Sequence, residues 1–238
     1  MTTKESLLMI LKDDKETTVD YFSKFPSNIE NIGLSLSGGM DSALILWCLV
    51  EMIKGREEYW RDVKIWCMHG YDTHRTKTHS YETAQNVLDW VKWNQNDTTI
   101  IQPLHVFAYN KARPDQSKMQ FHKPNEEYLK RRRKCDVVIT GITQDHTGHG
   151  RTNNQTNAHF SNQDLADETK ISWRYPFGAV NKEFIAHQYK HYELHGLKAI
   201  TVSCTGDSKT PCQKCFWCQE RFWAFGDYDG GQKKRIVL

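Results

Sequence analysis

Residues 32–42 read IGLSLSGGMDS, an apolar segment followed by two glycines and a polar turn. The apolar residues predict a short buried strand over 32–36, which Gly38 and Gly39 end, and apolar positions at helical spacing predict a helix over 42–54. Glycine lets a chain turn tightly and approach an anion closely, because it has no Cβ. A helix that begins at such a turn directs unpaired N–H groups and the positive end of its dipole towards that anion. The stretch therefore predicts a strand–loop–helix unit that binds phosphate.

The segments that flank this unit alternate between strand and helix patterns. Strands are predicted at 63–68, at 99–101 or 104–107, and at 137–140, and helices at 81–91 and 182–194. Such alternation is typical of an α/β fold, so we expect a parallel sheet of about five strands with helices on both faces. Apolar residues near helical spacing between 4 and 25 predict an N-terminal helical segment at 1–28.

Three regions are expected along the chain, whose 238 residues fit one domain with an appendage. Residues 1–200 are predicted to form the phosphate-binding domain and 201–226 a small cysteine-rich element. Residues 227–238 are predicted to form a flexible tail. A tail of this kind serves either as a free end or as the arm of a homodimer.

The composition argues against membrane and secreted classes of protein. Mean hydropathy is −0.71, and the longest apolar run, at 43–50, is far shorter than the roughly 20 residues that a membrane-spanning helix needs. The apolar run at 7–11 is too short for a signal peptide, so we expect a cytoplasmic protein with no membrane partner. The net charge is only +3, which disfavours direct nucleic-acid binding. The basic run at 130–134 is interpreted as a solvated helix end, with a nucleic-acid patch as the alternative.

Four of the seven cysteines lie close together late in the chain. Their spacing is C-x7-C-x2-C-x2-C, in the order Cys204, Cys212, Cys215 and Cys218. Four soft thiolates so close in sequence match a closed tetrahedral site for structural Zn2+. Arg221 and the nearby Lys209 and Lys214 are predicted to offset its negative charge. A CxxC redox pair and an iron–sulfur cluster are the alternatives.

The segment SGGMDS at 37–42 resembles the PP-loop of the ATP pyrophosphatase superfamily, including its strand–loop–helix setting. Members of that superfamily cleave ATP between the α and β phosphates and adenylate an oxygen of their substrate. The resemblance implies a nucleotide-binding domain of the adenine nucleotide α-hydrolase type, with ATP contacts at Ser37, Gly38, Gly39, Met40, Met68 and Gly141. Asp41 and Ser42 are the expected catalytic residues, since a carboxylate can hold the Mg2+ that accompanies ATP and a hydroxyl can donate to phosphate. The alternative is a glycine turn that only caps a helix.

The loop and the cysteine cluster together resemble the QueC-type 7-cyano-7-deazaguanine (preQ0) synthases, a family of this superfamily that serves queuosine biosynthesis. Further matching segments lie at 176–185, 196–197, 201–204 and 219–225. The resemblance implies Zn2+ at the four cysteines and a catalytic role for Lys182 as a cationic partner of phosphate. It also implies ATP with Mg2+, ammonia and a small deazapurine acid as partners.

The chain departs from this family in the segment that grips the deazapurine. The family carries G-x-N-x-x-D followed by GYPDCR, whereas residues 141–151 read GITQDHTGHGR. The residues expected to bind substrate instead are Thr143, Asp145, His146, His149 and Arg151. A site with fewer polar partners for a base discriminates less sharply between substrates.

The implied reaction is the ATP-dependent conversion of 7-carboxy-7-deazaguanine and ammonia into the amide, the nitrile preQ0, or both. It proceeds through adenylated intermediates and releases AMP and pyrophosphate. One alternative is a PP-loop enzyme that acts on another acid or on tRNA, by amide formation or by thiolation; Cys48 and Cys67 are the candidate cysteines for thiolation. The other alternative is a non-catalytic zinc-ribbon protein that binds nucleic acid, which the intact loop at 37–42 disfavours.

Overall fold

The computed structural model of the protein has a five-stranded parallel sheet at its centre. It describes residues 9–12, 15–18, 29–55, 62–73, 80–96, 99–110, 126–143, 172–174, 176–177, 180–206 and 210–232. The strands are β1 (Met9–Lys12), β2 (Lys15–Thr18), β3 (Asn31–Ser35), β4 (Lys64–Asp72), β5 (His105–Tyr109), β6 (Val137–Thr140) and β7 (Ser172–Arg174). The helices are α1 (Met40–Gly55), α2 (Ser80–Asn94), a π-helix (Glu126–Arg132), α3 (Lys182–His191), α4 (His195–Ile200), α5 (Phe216–Phe225) and a short 3-10 helix (Asp229–Gly231). Every helix in these ranges is too short or too polar to span a bilayer.

The strand order in the sheet is β5-β4-β3-β6-β7, and all neighbouring strands are parallel. Along the chain, β4 and β5 add to one side of β3, and β6 and β7 then add to its other side. The direction of winding therefore reverses between β3 and β6, and open α/β sheets bind ligands in the crevice at such a point. The predicted α/β fold with a parallel sheet is confirmed. The third predicted strand is β5, while Ile101 forms only an isolated bridge to Ile65, and β7 was not predicted.

Helices cover both faces of the sheet, as predicted. Along β3, Ile32 and Leu34 are fully buried in a large core that also contains residues of α1, α2 and α3. Gly33 lies between them and faces the other side, where a Cβ built on it would stand 3.0 Å from the Leu129 side chain in the π-helix. The two-residue period of a strand thus separates one large core from a smaller one on the opposite face.

The N-terminal helical segment predicted at 1–28 is wrong over residues 9–12 and 15–18. There β1 and β2 form an antiparallel pair, with Met9 opposite Thr18. The acidic pair at 13–14 has turn-forming chemistry, and the β-branched threonines of β2 favour extended backbone. Local turn and strand preferences therefore outweigh the helical spacing of a few widely separated apolar residues.

Residues 227–232, predicted as the start of a flexible tail, pack against the body of the protein. Asp229 is buried, and its carboxylate accepts hydrogen bonds from the backbone N–H groups of Ser203 and Cys204, both at 2.8 Å. The prediction is wrong for these residues because their polar composition gave no sign of a specific set of buried contacts. Residues 233–238 lie outside the described ranges.

Candidate functional site

The glycine loop follows β3 and opens into the crevice between β3 and β6, as its sequence predicts. Its two serine hydroxyls brace it from inside: the Oγ atoms of Ser37 and Ser42 are 2.9 Å apart. Ser42 Oγ also accepts a hydrogen bond from the backbone N–H of Ser37 at 3.1 Å and donates one to the carbonyl of Gly39 at 3.2 Å. The N–H of Gly39 in turn donates to Ser37 Oγ at 3.2 Å. The loop is therefore held in shape by its own side chains.

Two glycines allow the loop to sit tightly between α2 and the end of β6. Gly38 has a φ of 81°, and a Cβ placed on it would lie 2.9 Å from the backbone nitrogen of Ala84 in α2. Gly141 directly follows β6, and a Cβ there would lie 2.9 Å from the Cβ of Asp41. The structure thus brings Gly141 against the loop, 100 residues further along the sequence, as the resemblance implied.

Asp41, in the first turn of α1, is paired with Lys182, the first residue of α3. The ammonium nitrogen of Lys182 lies 2.7 Å and 2.5 Å from the two carboxylate oxygens of Asp41. It also lies 3.5 Å from a carboxylate oxygen of Glu220 in α5. The side chains of Asp41, Lys182 and Glu220 are 16%, 7% and 1% exposed. The sequence singles out Asp41 and Lys182 separately, and it includes Glu220 only within the matching segment at 219–225, with no role assigned to it.

The chemistry of Asp41 fits a hard divalent cation such as Mg2+. Its carboxylate supplies oxygen ligands at the edge of a phosphate-sized loop, and oxygen is the ligand that Mg2+ prefers. The carboxylate already attracts a cation in this structure, because both oxygens contact the ammonium of Lys182. Mg2+ and Lys182 therefore compete for the same atoms.

Two buried side chains support the loop from beneath, and neither was predicted. The Tyr189 hydroxyl donates to the carbonyl of Met40 at 3.0 Å, and burial raises the pKa of Tyr189 well above its usual value, so the hydroxyl keeps its proton. His69 Nδ1 lies 2.8 Å from the carbonyl of Leu36, and its Nε2 lies 3.1 Å from Ser80 Oγ at the start of α2. Burial lowers the pKa of His69, and the hydrogen bond to Leu36 offsets part of that shift.

The remaining residues predicted to bind ATP or substrate fall into three groups. Met68 lies in β4 next to the loop, and its carbonyl accepts a hydrogen bond from the N–H of Leu36 at 2.8 Å. Thr143 is buried, two residues beyond Gly141. The other predicted substrate residues lie outside the described ranges: Asp145, His146, His149 and Arg151.

The four late cysteines converge, as their spacing predicts. Their sulfur atoms all lie within 4.8 Å of one another, and the members of the cluster are Cys204, Cys212, Cys215 and Cys218. The sulfurs of Cys212 and Cys218 are 3.9 Å apart, close to the roughly 3.8 Å that tetrahedral Zn–S bonds of about 2.3 Å require. The cluster therefore fits a closed site for a thiophilic metal such as Zn2+.

Backbone N–H groups donate hydrogen bonds to two of these sulfurs, and at Cys212 they favour the negatively charged thiolate. The N–H groups of Gly206 and Cys212 both lie 3.3 Å from Cys204 Sγ, and the N–H of Cys215 lies 3.3 Å from Cys212 Sγ. Burial raises the pKa of Cys212, but hydrogen bonds from backbone N–H groups and neighbouring thiols outweigh it and lower that pKa to about 6. A thiolate is the form that binds a metal.

Arg221 fastens the cysteine element to the main domain. Its guanidinium is 1% exposed and forms an ion pair with Asp229 at 2.8 Å. It also donates to the carbonyls of Thr201 at 3.0 Å and Lys198 at 3.2 Å. The positive charge of Arg221 is thus paired with the carboxylate of Asp229, and its role beside the cysteine cluster stays a prediction.

Comparisons with known proteins give a limited picture. No protein-family model matches the chain, and no curated protein matches it. Among solved structures, the chain is similar to a 4-thiouridine synthetase, described in a crystal structure of its complex with RNA and with bound ATP. The two share 17% sequence identity with a TM-score of 0.49, and the match covers 87% of this chain and 48% of that one. The chain thus spans about half the length of that synthetase.

Proposed function

We propose that the protein is an enzyme that cleaves ATP between its α and β phosphates in order to activate a carboxylate. The observation that carries this proposal is the braced glycine loop at the β3–β6 crevice, with the Asp41–Lys182 pair at its edge. A phosphate group there would meet the N-terminus of α1, a buried ammonium and a carboxylate suited to Mg2+.

The roles of the residues follow from where charge develops in such a reaction. The loop backbone at Gly38 and Gly39 and the first turn of α1 would hold the leaving pyrophosphate. Lys182 would stabilise the negative charge that grows on the phosphates, and fixed charges of this kind are effective catalysts. Bound at Asp41, Mg2+ would neutralise part of the polyphosphate charge. The protein would thus act by orientation and charge stabilisation rather than by a covalent bond of its own.

We propose 7-carboxy-7-deazaguanine as the substrate, on the strength of the loop and the cysteine cluster together. Its carboxylate oxygen attacks the α phosphate, which gives an acyl-adenylate and releases pyrophosphate. Ammonia then displaces AMP and leaves the amide. A second adenylation, on the amide oxygen, followed by loss of AMP gives the nitrile. The chain lacks the polar GYPDCR segment of the related synthases, so we expect the amide to accumulate if the second activation is slow.

A thiolating enzyme that acts on tRNA is less well supported by the cysteines. Cys48 and Cys67 are both buried, and burial raises the pKa of Cys67 to about 12. Burial also raises the pKa of Cys48. A buried thiol with a raised pKa is a poor nucleophile, because the thiolate is the reactive form. An enzyme that forms an amide on another acid remains the closest alternative to the deazapurine reaction.

The first experiment identifies the products of ATP cleavage. Purified protein with ATP, Mg2+, ammonia and 7-carboxy-7-deazaguanine should release AMP and pyrophosphate, whereas release of ADP and phosphate would refute cleavage at the α phosphate. Asp41→Asn should abolish the release. The matched control Asp89→Asn, which removes an exposed carboxylate on α2, should leave it unchanged.

The second experiment identifies the acid. With 18O in the substrate carboxylate, mass spectrometry should find one labelled oxygen in AMP for each activation, together with the amide, the nitrile or both. Cleavage of ATP with a different acid, and neither deazapurine product, would contradict the substrate proposal while leaving the ATP reaction in place.

A further inference from the structure

Lys182 occupies the atoms of Asp41 that a divalent cation needs. Its ammonium lies within 2.7 Å of both carboxylate oxygens, so it competes with a divalent cation for both of them. The inference below rests on the proposed function, in which Asp41 holds Mg2+ together with ATP. Under that function, metal binding at Asp41 weakens the pairing of that carboxylate with Lys182, because two cations repel each other.

Glu220 lies close enough to accept the ammonium of Lys182 when it leaves Asp41. One of its carboxylate oxygens is 3.5 Å from Lys182 Nζ, on a side chain that is 1% exposed. A buried ammonium that loses its carboxylate partner is strongly destabilising, so a second carboxylate within reach lowers the cost of the displacement. The move needs only about an ångström of travel, from an ion pair at 3.5 Å to one at ordinary hydrogen-bond distance.

We propose that Glu220 is a positioning residue that receives Lys182 from Asp41 when Mg2+ and nucleotide bind. In the nucleotide-free protein, Lys182 covers Asp41 and the phosphate loop is closed to free cations. In the loaded protein, Asp41 pairs with the metal, and the three N–H donors of Lys182 are shared between Glu220 and the phosphates. Glu220 therefore sets the Mg2+ requirement of the site without touching ATP.

The helix that carries Glu220, α5, is held in place by residues on either side of Glu220 in the sequence. Cys215 is the N-cap of α5 and Cys218 lies in its first turn, so a metal in the cysteine cluster would anchor the start of the helix. Arg221, the next residue after Glu220, is held by Asp229 at 2.8 Å. The carboxylate of Glu220 is therefore held at a fixed place beside Lys182, which suits an acceptor for its ammonium.

The test measures Mg2+ dependence in Glu220→Gln, which keeps the shape of the side chain and removes its charge. We expect the Mg2+ concentration for half-maximal ATP cleavage to rise on the order of tenfold, with a much smaller change in kcat at saturating Mg2+. Binding of Mn2+, followed by paramagnetic resonance with an ATP analogue whose α–β bridge is a methylene group, should weaken by a similar factor. This second readout needs no turnover.

A double-mutant cycle separates ion-pair exchange from a simple electric field effect. In the Lys182→Met background, Mn2+ binding should be tighter than in the wild type, because the competing ammonium is gone. Adding Glu220→Gln to that background should then change Mn2+ affinity by less than about twofold, since there is no ammonium left to receive. An equally large effect of Glu220→Gln in both backgrounds would overturn the proposal.

Controls distinguish this inference from folding defects and from the proposed function. Asp227→Asn removes a carboxylate that pairs with Lys198 instead, and it should leave Mn2+ affinity unchanged. A Glu220→Gln protein with normal Zn2+ content, normal Tm and an unchanged Mn2+ affinity would overturn the role of Glu220. If the wild type binds Mn2+ and the analogue as expected but releases no AMP, the proposed function fails while the exchange of Lys182 stands.

Discussion

Three charged side chains meet in the interior beside the glycine loop. Asp41 and Glu220 are carboxylates, Lys182 is an ammonium, and none of the three side chains is more than 16% exposed. Burying a charge is costly unless it is paired, and Lys182 contacts both carboxylates. At the scale of single residues, Lys182 is therefore the contact that links Asp41 in α1 to Glu220 in α5.

Gly38 provides a test of how closely the loop is packed. A Gly38→Ala substitution forces alanine to a φ of 81° and places a Cβ 2.9 Å from the backbone of Ala84. The strained φ should cost about 1–2 kcal/mol, and the overlap with backbone should add a comparable amount. We expect urea unfolding to show a total loss of about 3 kcal/mol, accompanied by loss of nucleotide binding.

The matched control for this prediction is Gly230→Ala. Gly230 also has a positive φ, 70°, but nothing lies within 4 Å of the position where its Cβ would be. Only the backbone strain of about 1–2 kcal/mol should appear, and nucleotide binding should be retained. Equal losses in the two variants would mean that the contact between the loop and α2 is unimportant.

At the scale of elements, α5 joins the cysteine cluster to the phosphate site. Its first turn contains Cys218, and two residues later Glu220 reaches Lys182. The following residue, Arg221, pairs with Asp229 and so fixes the segment that leads into the cluster. One short helix therefore carries both a cysteine of the cluster and the carboxylate that contacts Lys182.

Removal of the metal should loosen this helix. Cys215→Ser takes away one of four ligands, so we expect purified protein to fall from about one Zn2+ per chain to well below that value. Because structural zinc contributes directly to folding, Tm should fall by on the order of 10 °C. Metal analysis and thermal unfolding monitored by circular dichroism provide the measurements.

Cys135→Ser is the control for this prediction, since Cys135 is buried outside the cluster. It should leave the Zn2+ content at the wild-type value, even if the core is slightly destabilised. Iron in place of zinc, or a disulfide between Cys212 and Cys215 in fresh protein, would contradict the assignment of a zinc site.

The elements also show which features the sequence could reveal. The loop at 37–42 and the cysteine cluster were predictable because each is written in consecutive or closely spaced residues with distinctive chemistry. The contact of Asp41 with Lys182 spans 141 positions, so only the winding of the sheet brings the two together. The three-residue strand β7 pairs along the edge of β6 and has too few residues for a period to emerge. Tertiary pairing, rather than local preference, determines such features.

At the scale of the whole molecule, one histidine connects three elements of the nucleotide site. His69 lies in β4, its Nδ1 is hydrogen-bonded to the carbonyl of Leu36, and its Nε2 contacts Ser80 at the start of α2. Burial lowers the pKa of His69 below 6.5, the usual value for histidine. Protonation of this side chain must therefore disturb the loop, the sheet and α2 together.

This arrangement predicts how stability depends on pH. Below about pH 6.5, His69 binds a proton more readily in the unfolded chain than in the native state. The contribution of His69 to the free energy of unfolding is therefore complete above that pH and is lost as the pH falls. The loss is at most about 1.4 kcal/mol per pH unit from this one group. Urea unfolding of the wild type between about pH 7.5 and 5.5 should show the decline.

His69→Asn isolates the contribution of the imidazole, because asparagine can still donate to the carbonyl of Leu36 but does not titrate. The variant should be less stable at neutral pH and should lose less stability on acidification. An identical pH slope in the two proteins would show that other groups control the acid sensitivity.

The separation of the site's parts along the chain has a consequence for how the protein is made. The loop leaves the ribosome first, Gly141 and Lys182 follow much later, and Glu220 follows later still. Until Lys182 has been synthesised, Asp41 has no ammonium beside it, and until α5 has docked, that ammonium has no second carboxylate to move to. A nascent chain therefore assembles the contacts of Lys182 with Asp41 and Glu220 only after residue 220 has emerged.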